Sequence, residues 1–238
     1  MLKQYRKLIS IIFNFLTAIS AFLGVVLSCV YSVEDGYFPW MTRLFYFTQQ
    51  SNVWIGTICL IFGILSVIGL IKSENYLNQA LCVIKLVFTA CITITCLVFC
   101  CLLAPFADFN VWTLSSVLTH VVTPILAVID YFVCKEQKVE KAKYTFFAIV
   151  PLLYYFLFAL IMSAFEVDFG RGDTFPYFFM NYHSEVGLFG YIPGEIPQFG
   201  CVYWLILICG MGLGICYLYY RLHPTTKKLR KQEKQEKN

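Results

Sequence analysis

The sequence is poor in charge. Lys, Arg, Asp and Glu make up only 13% of its 238 residues, against about 25% in a soluble domain. With 59% hydrophobic residues and a mean hydropathy of +0.71, that shortage excludes a cytosolic enzyme, a nucleic-acid binder and a disordered chain. The eleven cysteines include no Cys-x-x-Cys pair, and most fall inside apolar runs, so they do not read as the disulfide framework of a small secreted domain. Histidine is scarce at three residues. His183 and His223 fall on opposite sides of the membrane and His120 has no second histidine at ligand spacing, so neither a metal nor another cofactor is expected. Phosphate-cradling glycine loops and Gly-x-Ser-x-Gly are both missing, which removes two common enzyme classes. No Asn-x-Ser/Thr acceptor occurs either.

What the chain does have is long apolar runs. A helix needs about 20 apolar residues to cross the hydrocarbon core, and six segments qualify. They run from about Leu8 to Val33, from between Leu44 and Val53 to Ile71, from Leu81 to Phe106, from Val111 to Cys134, from Tyr144 to Phe165, and from Cys201 to Tyr220. The expected fold is therefore all-α and polytopic, a six-helix transmembrane domain over 1–222 followed by a basic tail over 223–238. The first run has a basic start like a signal peptide, and Val26-Leu27-Ser28-Cys29 faintly resembles a lipoprotein cleavage box. Its apolar stretch is too long for a signal peptide, and it reads as an uncleaved anchor.

Positive charge sets the expected orientation. Lys3, Arg6 and Lys7, then Lys72, then Lys135, Lys138, Lys141 and Lys143 fall on one side, as does a tail with Arg221, Lys227, Lys228, Arg230, Lys231, Lys234 and Lys237. The opposite loops hold Arg43 and Arg171. Both termini are expected to be cytoplasmic. The net charge of +4 is thus a topology signal and implies no nucleic-acid partner. Two stretches on the opposite side stand out, 34–52 and 166–200. The second carries Phe175-Pro176-Tyr177-Phe178-Phe179-Met180 and reads either as a connector with an aromatic belt or as a lid over a site.

Inside the spans the polar residues carry the information. Ser10, Asn14, Thr17, Ala21 and Ser28 share one helical face; so do Thr48, Asn52, Gly56, Cys59 and Gly63; so do Lys85, Thr89, Thr93, Cys96 and Cys100; and so do Ser116, His120, Thr123, Ala127 and Asp130. For most of these, and for Gly210-x-x-x-Gly214, helix packing is the expected role. Lys85 and Asp130 lie at similar depth in the third and fourth helices and are expected to form an intramembrane ion pair. The alternative is a charged transport path through Lys85, Asp130 and His120.

His120 sits roughly 10–13 Å below the outer end of the fourth helix, and Pro124 follows one turn later, freeing a carbonyl. The run Thr48-Gln49-Gln50-Ser51-Asn52 places five consecutive polar residues where the second span begins. Thr48 falls roughly 8 Å below Arg43, a depth compatible with His120. A hydroxyl and an imidazole at one level are the minimum for nucleophilic attack on an acyl carbon. Gln49, Gln50 or Asn52 are candidate donors to the oxyanion or candidates to orient the pair, and Ser51 could replace Thr48 in the same argument.

These residues resemble a known family. Phe45-Tyr46-Phe47-Thr48-Gln49-Gln50-Ser51-Asn52 resembles the second-helix signature of the androgen-induced-gene family of membrane threonine hydrolases and its prokaryotic relatives. Leu118-Thr119-His120-Val121-Val122-Thr123-Pro124 is similar to that family's histidine motif, and Phe175-Pro176-Tyr177-Phe178 to its aromatic-proline motif. The resemblance runs from the first helix to the sixth. The His-to-Pro spacing differs slightly from the animal members, and the Gln-Gln-Ser-Asn extension belongs to the prokaryotic branch. The resemblance implies a hydrolase that cleaves fatty acid esters of hydroxy fatty acids with one threonine and one histidine. By motif these are Thr48 and His120, working through an acyl-threonine intermediate. It implies membrane lipids as the partner, a lipophilic ester as substrate, and a prokaryotic cell membrane as the address. Two rivals make different predictions. A small-solute or proton transporter would need a charged path, although the sequence has no obvious inverted repeat. A non-enzymatic scaffold would use the polar stripes for packing alone.

Overall fold

The computed structural model describes residues 2–32, 34, 40–107, 110–133, 139–170, 172–194 and 197–224. Lys135, Lys138, Arg171 and residues 225–238 of the expected basic tail lie outside the described residues.

Six helices are long and apolar enough to cross a membrane: α1 (Leu2–Val30), α2 (Phe47–Ile71), α3 (Gln79–Leu103), α4 (Leu114–Val133), α5 (Ala142–Ala164) and α6 (Cys201–Leu222). The protein is an integral, multi-pass membrane protein. Hydrocarbon offers the backbone no partner, so each crossing segment must satisfy its own N–H and C=O groups, and a helix does so within one segment. Observed ends fall within a few residues of those expected from the apolar runs. Asn78 caps α3 by accepting from the Leu81 N–H at 3.0 Å, and Thr113 caps α4 by accepting from the Ser116 N–H at 3.3 Å. The only described sheet is a two-residue antiparallel pairing of Tyr191–Ile192 with Gln198–Phe199, within the segment that joins α5 to α6.

The polar residues of the spans turn inward beside a large apolar core, and the outward faces are apolar. On α1, Ser10, Asn14, Thr17 and Ser28 are buried, whereas Ile12, Leu16, Ile19, Leu23 and Val26 are exposed on the lipid side. Such an outward apolar face is expected where lipid, not water, surrounds the helices. α3 lies at the centre, packed by α2, α4 and α6, and α1 lies against α2 and α4. The approach of α1 to α4 is close at Gly24, where a Cβ would stand 2.7 Å from Thr119 Cγ2. Gly210 and Gly214 correct the sequence reading. A Cβ on either would meet nothing within 4 Å. The small residue that lets α6 pack is Gly212, whose added Cβ would stand 2.6 Å from Leu152 Cδ1. A four-residue glycine spacing marks a smooth face, but the helix's rotation decides whether that face meets protein or lipid.

In one half of the bundle a wholly buried network joins three helices. Lys85 Nζ on α3 contacts Asp130 Oδ2 on α4, and neither side chain is exposed. Lys85 Nζ also donates to Asn14 Oδ1 on α1 at 2.5 Å and lies 4.3 Å from the centre of the Phe62 ring. The second Asp130 oxygen accepts from Ser10 Oγ at 2.6 Å and Asn14 Nδ2 at 3.0 Å. A buried charge is tolerated only when paired and hydrogen-bonded, and both conditions are met here.

Candidate functional site

The other half of the bundle opens into a cavity of about 1070 Å³, with Ser28, Arg43, Gln49, Ser116, His120 and Asp173 in its wall. α4 brings His120 to this cavity through a local irregularity. Residues Leu118–Val122 form a π-helical turn. Pro124 has no N–H to offer the His120 carbonyl, so the regular ladder cannot continue there, and the Thr123 N–H reaches back to the Leu118 carbonyl instead. α3 does the same one layer away, with a π-helical turn over Phe99–Leu103 ahead of Pro105. That turn lays the Phe99 ring flat on the His120 imidazole, with centroids 3.8 Å apart and planes 16° apart.

The imidazole is held at both nitrogens. Nδ1 lies 2.9 Å from the Ser116 carbonyl oxygen. A carbonyl only accepts, so the tautomer that makes this contact carries its proton on Nδ1 and presents the Nε2 lone pair; Ser116 Oγ and Thr119 Oγ1 also lie 3.2 Å from Nδ1. Nε2 lies 3.2 Å from Thr48 Oγ1. The two candidate residues, 72 positions apart in sequence, therefore meet directly across α2 and α4. A backbone carbonyl orients the histidine where a carboxylate does so in a triad. Asp130 takes no part, being engaged with Lys85, Asn14 and Ser10.

The remaining polar residues of the second-helix run go elsewhere. Ser51 Oγ pairs with Thr95 Oγ1 at 2.8 Å and with the Thr48 carbonyl at 3.1 Å, so it faces α3 and not His120. Asn52 Nδ2 donates to the Thr48 carbonyl at 2.7 Å and to the Thr119 carbonyl at 3.1 Å. Both amide protons are thereby used, and Asn52 becomes a clamp between the residue that carries the hydroxyl and the residue before His120. Gln49 Nε2 donates to Ser28 Oγ at 3.0 Å, and Gln50 Nε2 reaches the Phe45 carbonyl at 3.4 Å. Each amide expected to serve an oxyanion thus already donates to a neighbouring protein atom, and Gln49 also lines the cavity. An amide whose first helical turn packs against two other helices finds partners there before any ligand arrives.

The segment between α5 and α6 packs onto this end of the bundle. Phe169 is fully buried, and its carbonyl accepts from the Tyr46 hydroxyl at 2.9 Å. Tyr177 stands edge-on to Tyr46 at 5.7 Å and stacks on Phe179 at 5.1 Å. Its hydroxyl lies beside those of Thr48 and Tyr155, and burial pushes the phenol above its ordinary value. A second, narrow apolar slot of about 60 Å³ runs from here between α3, α5 and α6, lined by Thr48, Ile94, Leu152, Tyr155, Tyr177 and Trp204. Thr48 and Tyr177 thus belong to both the open cavity and the slot. Tyr155 was not singled out in the sequence. A tyrosine in an aromatic-rich span gives no period or motif that distinguishes it from an ordinary packing ring.

Among the described residues no group of three His, Cys, Asp or Glu lies together as metal ligands would, and the described cysteines are free thiols. Comparison with protein-family models, with curated proteins and with solved structures finds no match for this chain.

Proposed function

We propose that this membrane protein is an intramembrane acyl-ester hydrolase that uses Thr48 as nucleophile and His120 as base. The observation that carries the reading is the 3.2 Å approach of Thr48 Oγ1 to His120 Nε2, with Nδ1 tied to the Ser116 carbonyl, at the wall of a large cavity. The motif resemblance to the androgen-induced-gene family points the same way. The positive charges favour cytoplasmic termini, which would put the pair near the outer face of a cell membrane.

The proton and acyl transfers run between these two side chains, the ester and water. Nε2 takes the Thr48 proton as Oγ1 bonds to the acyl carbon, and the carbonyl electron pair moves onto oxygen. Collapse of that adduct breaks the bond to the alcohol oxygen, which leaves with the proton from Nε2. The acyl-threonine remains. Water then attacks the same carbon, giving its proton to Nε2. The acid departs, and the proton returns to Thr48. One ester and one water yield one acid and one alcohol. Threonine is a hindered secondary alcohol, so its activation depends wholly on the oriented imidazole. A lipid-borne ester reaches such a site from within the bilayer, so membrane lipids are both the solvent and the source of substrate.

Hydrolysis of lipophilic nitrophenyl esters by the purified protein in lipid nanodiscs tests the reading. Thr48→Ala and His120→Ala should each remove the catalysed rate while the protein stays folded. An unchanged rate in Thr48→Ala rules the assignment out.

A further inference from the structure

A tetrahedral adduct at Thr48 needs donors for its oxyanion, and each nearby amide already donates to a protein atom. Asn52 has committed both protons to backbone carbonyls, and Gln49 and Gln50 donate to Ser28 and Phe45. Two phenols are differently placed. The Tyr155 hydroxyl is buried from solvent yet makes no hydrogen bond of sound geometry. Buried polar groups in native proteins are nearly always satisfied, and an exception calls for a ligand or a function. Tyr155 lines the apolar slot on the Thr48 side. The Tyr177 hydroxyl lies beside both Thr48 and Tyr155. Tyr155, Tyr177 and Thr48 all line that slot. An acyl carbon bonded to Thr48 Oγ1 would have both phenols among the groups that line the same slot.

Both rings are held rigidly. Tyr155 packs edge-on to Phe47 with centroids 5.1 Å apart, and Tyr177 lies between Tyr46 and Phe179. Donors fixed in this way stabilise developing charge without reorganising, and a water-poor surrounding strengthens each of them.

We infer that Tyr155 and Tyr177 form the oxyanion site of the hydrolase, each donating its phenol proton to the former carbonyl oxygen of the acyl group. This rests on the Thr48/His120 reading. It adds two catalytic residues from α5 and from the segment before α6, and it gives the Tyr155 hydroxyl an acceptor of sound geometry. The electron pair stays on oxygen during the adduct's life and returns to re-form the carbonyl when the alcohol leaves, so neither tyrosine gives up its proton.

The test compares Tyr155→Phe, Tyr177→Phe and Thr48→Ala in nanodiscs. It reads hydrolysis of nitrophenyl esters, the rate of inactivation by a lipophilic fluorophosphonate, and thermal stability. Each Phe variant should lose about 100-fold in kcat, with KM within about two-fold and inactivation slowed in parallel. Tyr155→Phe should be as stable as wild type or more so, because an unsatisfied buried hydroxyl contributes nothing when removed. Wild-type kcat in Tyr155→Phe, beside a dead Thr48→Ala, overturns the oxyanion assignment alone. So does a Tyr155→Phe protein that unfolds, since that reveals a structural partner for the hydroxyl. Full activity in Thr48→Ala, or an inert wild type, overturns the hydrolase reading and this inference with it.

Discussion

Replacing Asp130 with Ala removes the carboxylate that pairs with Lys85 in the buried network. Removing one partner of a buried ion pair costs about 3–5 kcal/mol, because the other charge is left uncompensated. Here Lys85 would keep Asn14 Oδ1 at 2.5 Å and the Phe62 ring face at 4.3 Å, which favours the lower end, near 3 kcal/mol. Ser10 Oγ would lose its acceptor at 2.6 Å, adding about 1 kcal/mol, while Asn14 Nδ2 would keep the Ser10 carbonyl at 2.8 Å. The expected loss is therefore about 4 kcal/mol, or roughly a thousandfold in the folded-to-unfolded ratio. Unfolding in mixed micelles, followed by circular dichroism, measures it directly. The paired replacement Lys85→Met with Asp130→Leu removes both charges and should recover most of the loss, giving a coupling energy of about 3 kcal/mol. An Asp130→Ala protein within about 0.5 kcal/mol of wild type refutes this reasoning. So does a double variant as unstable as the sum of the singles. If the pair instead served a transport path, Asp130→Asn would abolish solute or proton flux in sealed vesicles at little cost to stability.

Three further outcomes follow from the site's construction. Asn52→Leu deletes the clamp between the Thr48 and Thr119 carbonyls; it should cost about 2–3 kcal/mol and slow ester hydrolysis at least tenfold, and unchanged kinetics would show that the clamp does not set the Thr48–His120 distance. Gly24→Val forces side-chain atoms into Thr119, where even a Cβ would stand at 2.7 Å; a loss of about 1–3 kcal/mol in micellar unfolding is expected, and a neutral result would mean that α1 and α4 do not touch there. Burial raises the Tyr177 phenol above its ordinary value of 10. The neutral, donating form therefore persists through pH 10 and is lost only above it, so the fluorophosphonate inactivation rate should not fall between pH 8 and 10. A titration in that window that disappears in Tyr177→Phe would contradict the assignment.

The six spans were legible because length and hydropathy report directly on a bilayer-crossing helix. The inward faces of α1 and α4 were legible because a polar residue in lipid must turn toward protein. Depth arguments brought Thr48 and His120 to one level before any coordinates, and they lie 3.2 Å apart. Other features were beyond the sequence for identifiable reasons. A proline announces a broken ladder, but not that the break becomes a π-helical turn that aims Nε2 at α2 and Nδ1 at the Ser116 carbonyl. Gln49 and Asn52 looked like oxyanion donors because their chemistry suits that task. Their partners, Ser28 and Thr119, come from α1 and α4, so only the packed bundle reveals that each amide already donates to a protein atom. Tyr155 is one of several aromatic rings on α5. Its significance lies in an unsatisfied hydroxyl, a property of its surroundings and not of its spacing.

The central claim is that the Thr48 hydroxyl is made nucleophilic by His120. The most direct measurement is labelling of the membrane-embedded protein with a lipophilic fluorophosphonate, with the modified residue identified by peptide mass spectrometry. The account predicts a single adduct on Thr48, absent in Thr48→Ala and in His120→Ala. Labelling elsewhere in the chain, labelling of Thr48 that persists without His120, or a folded wild type that does not react would contradict it.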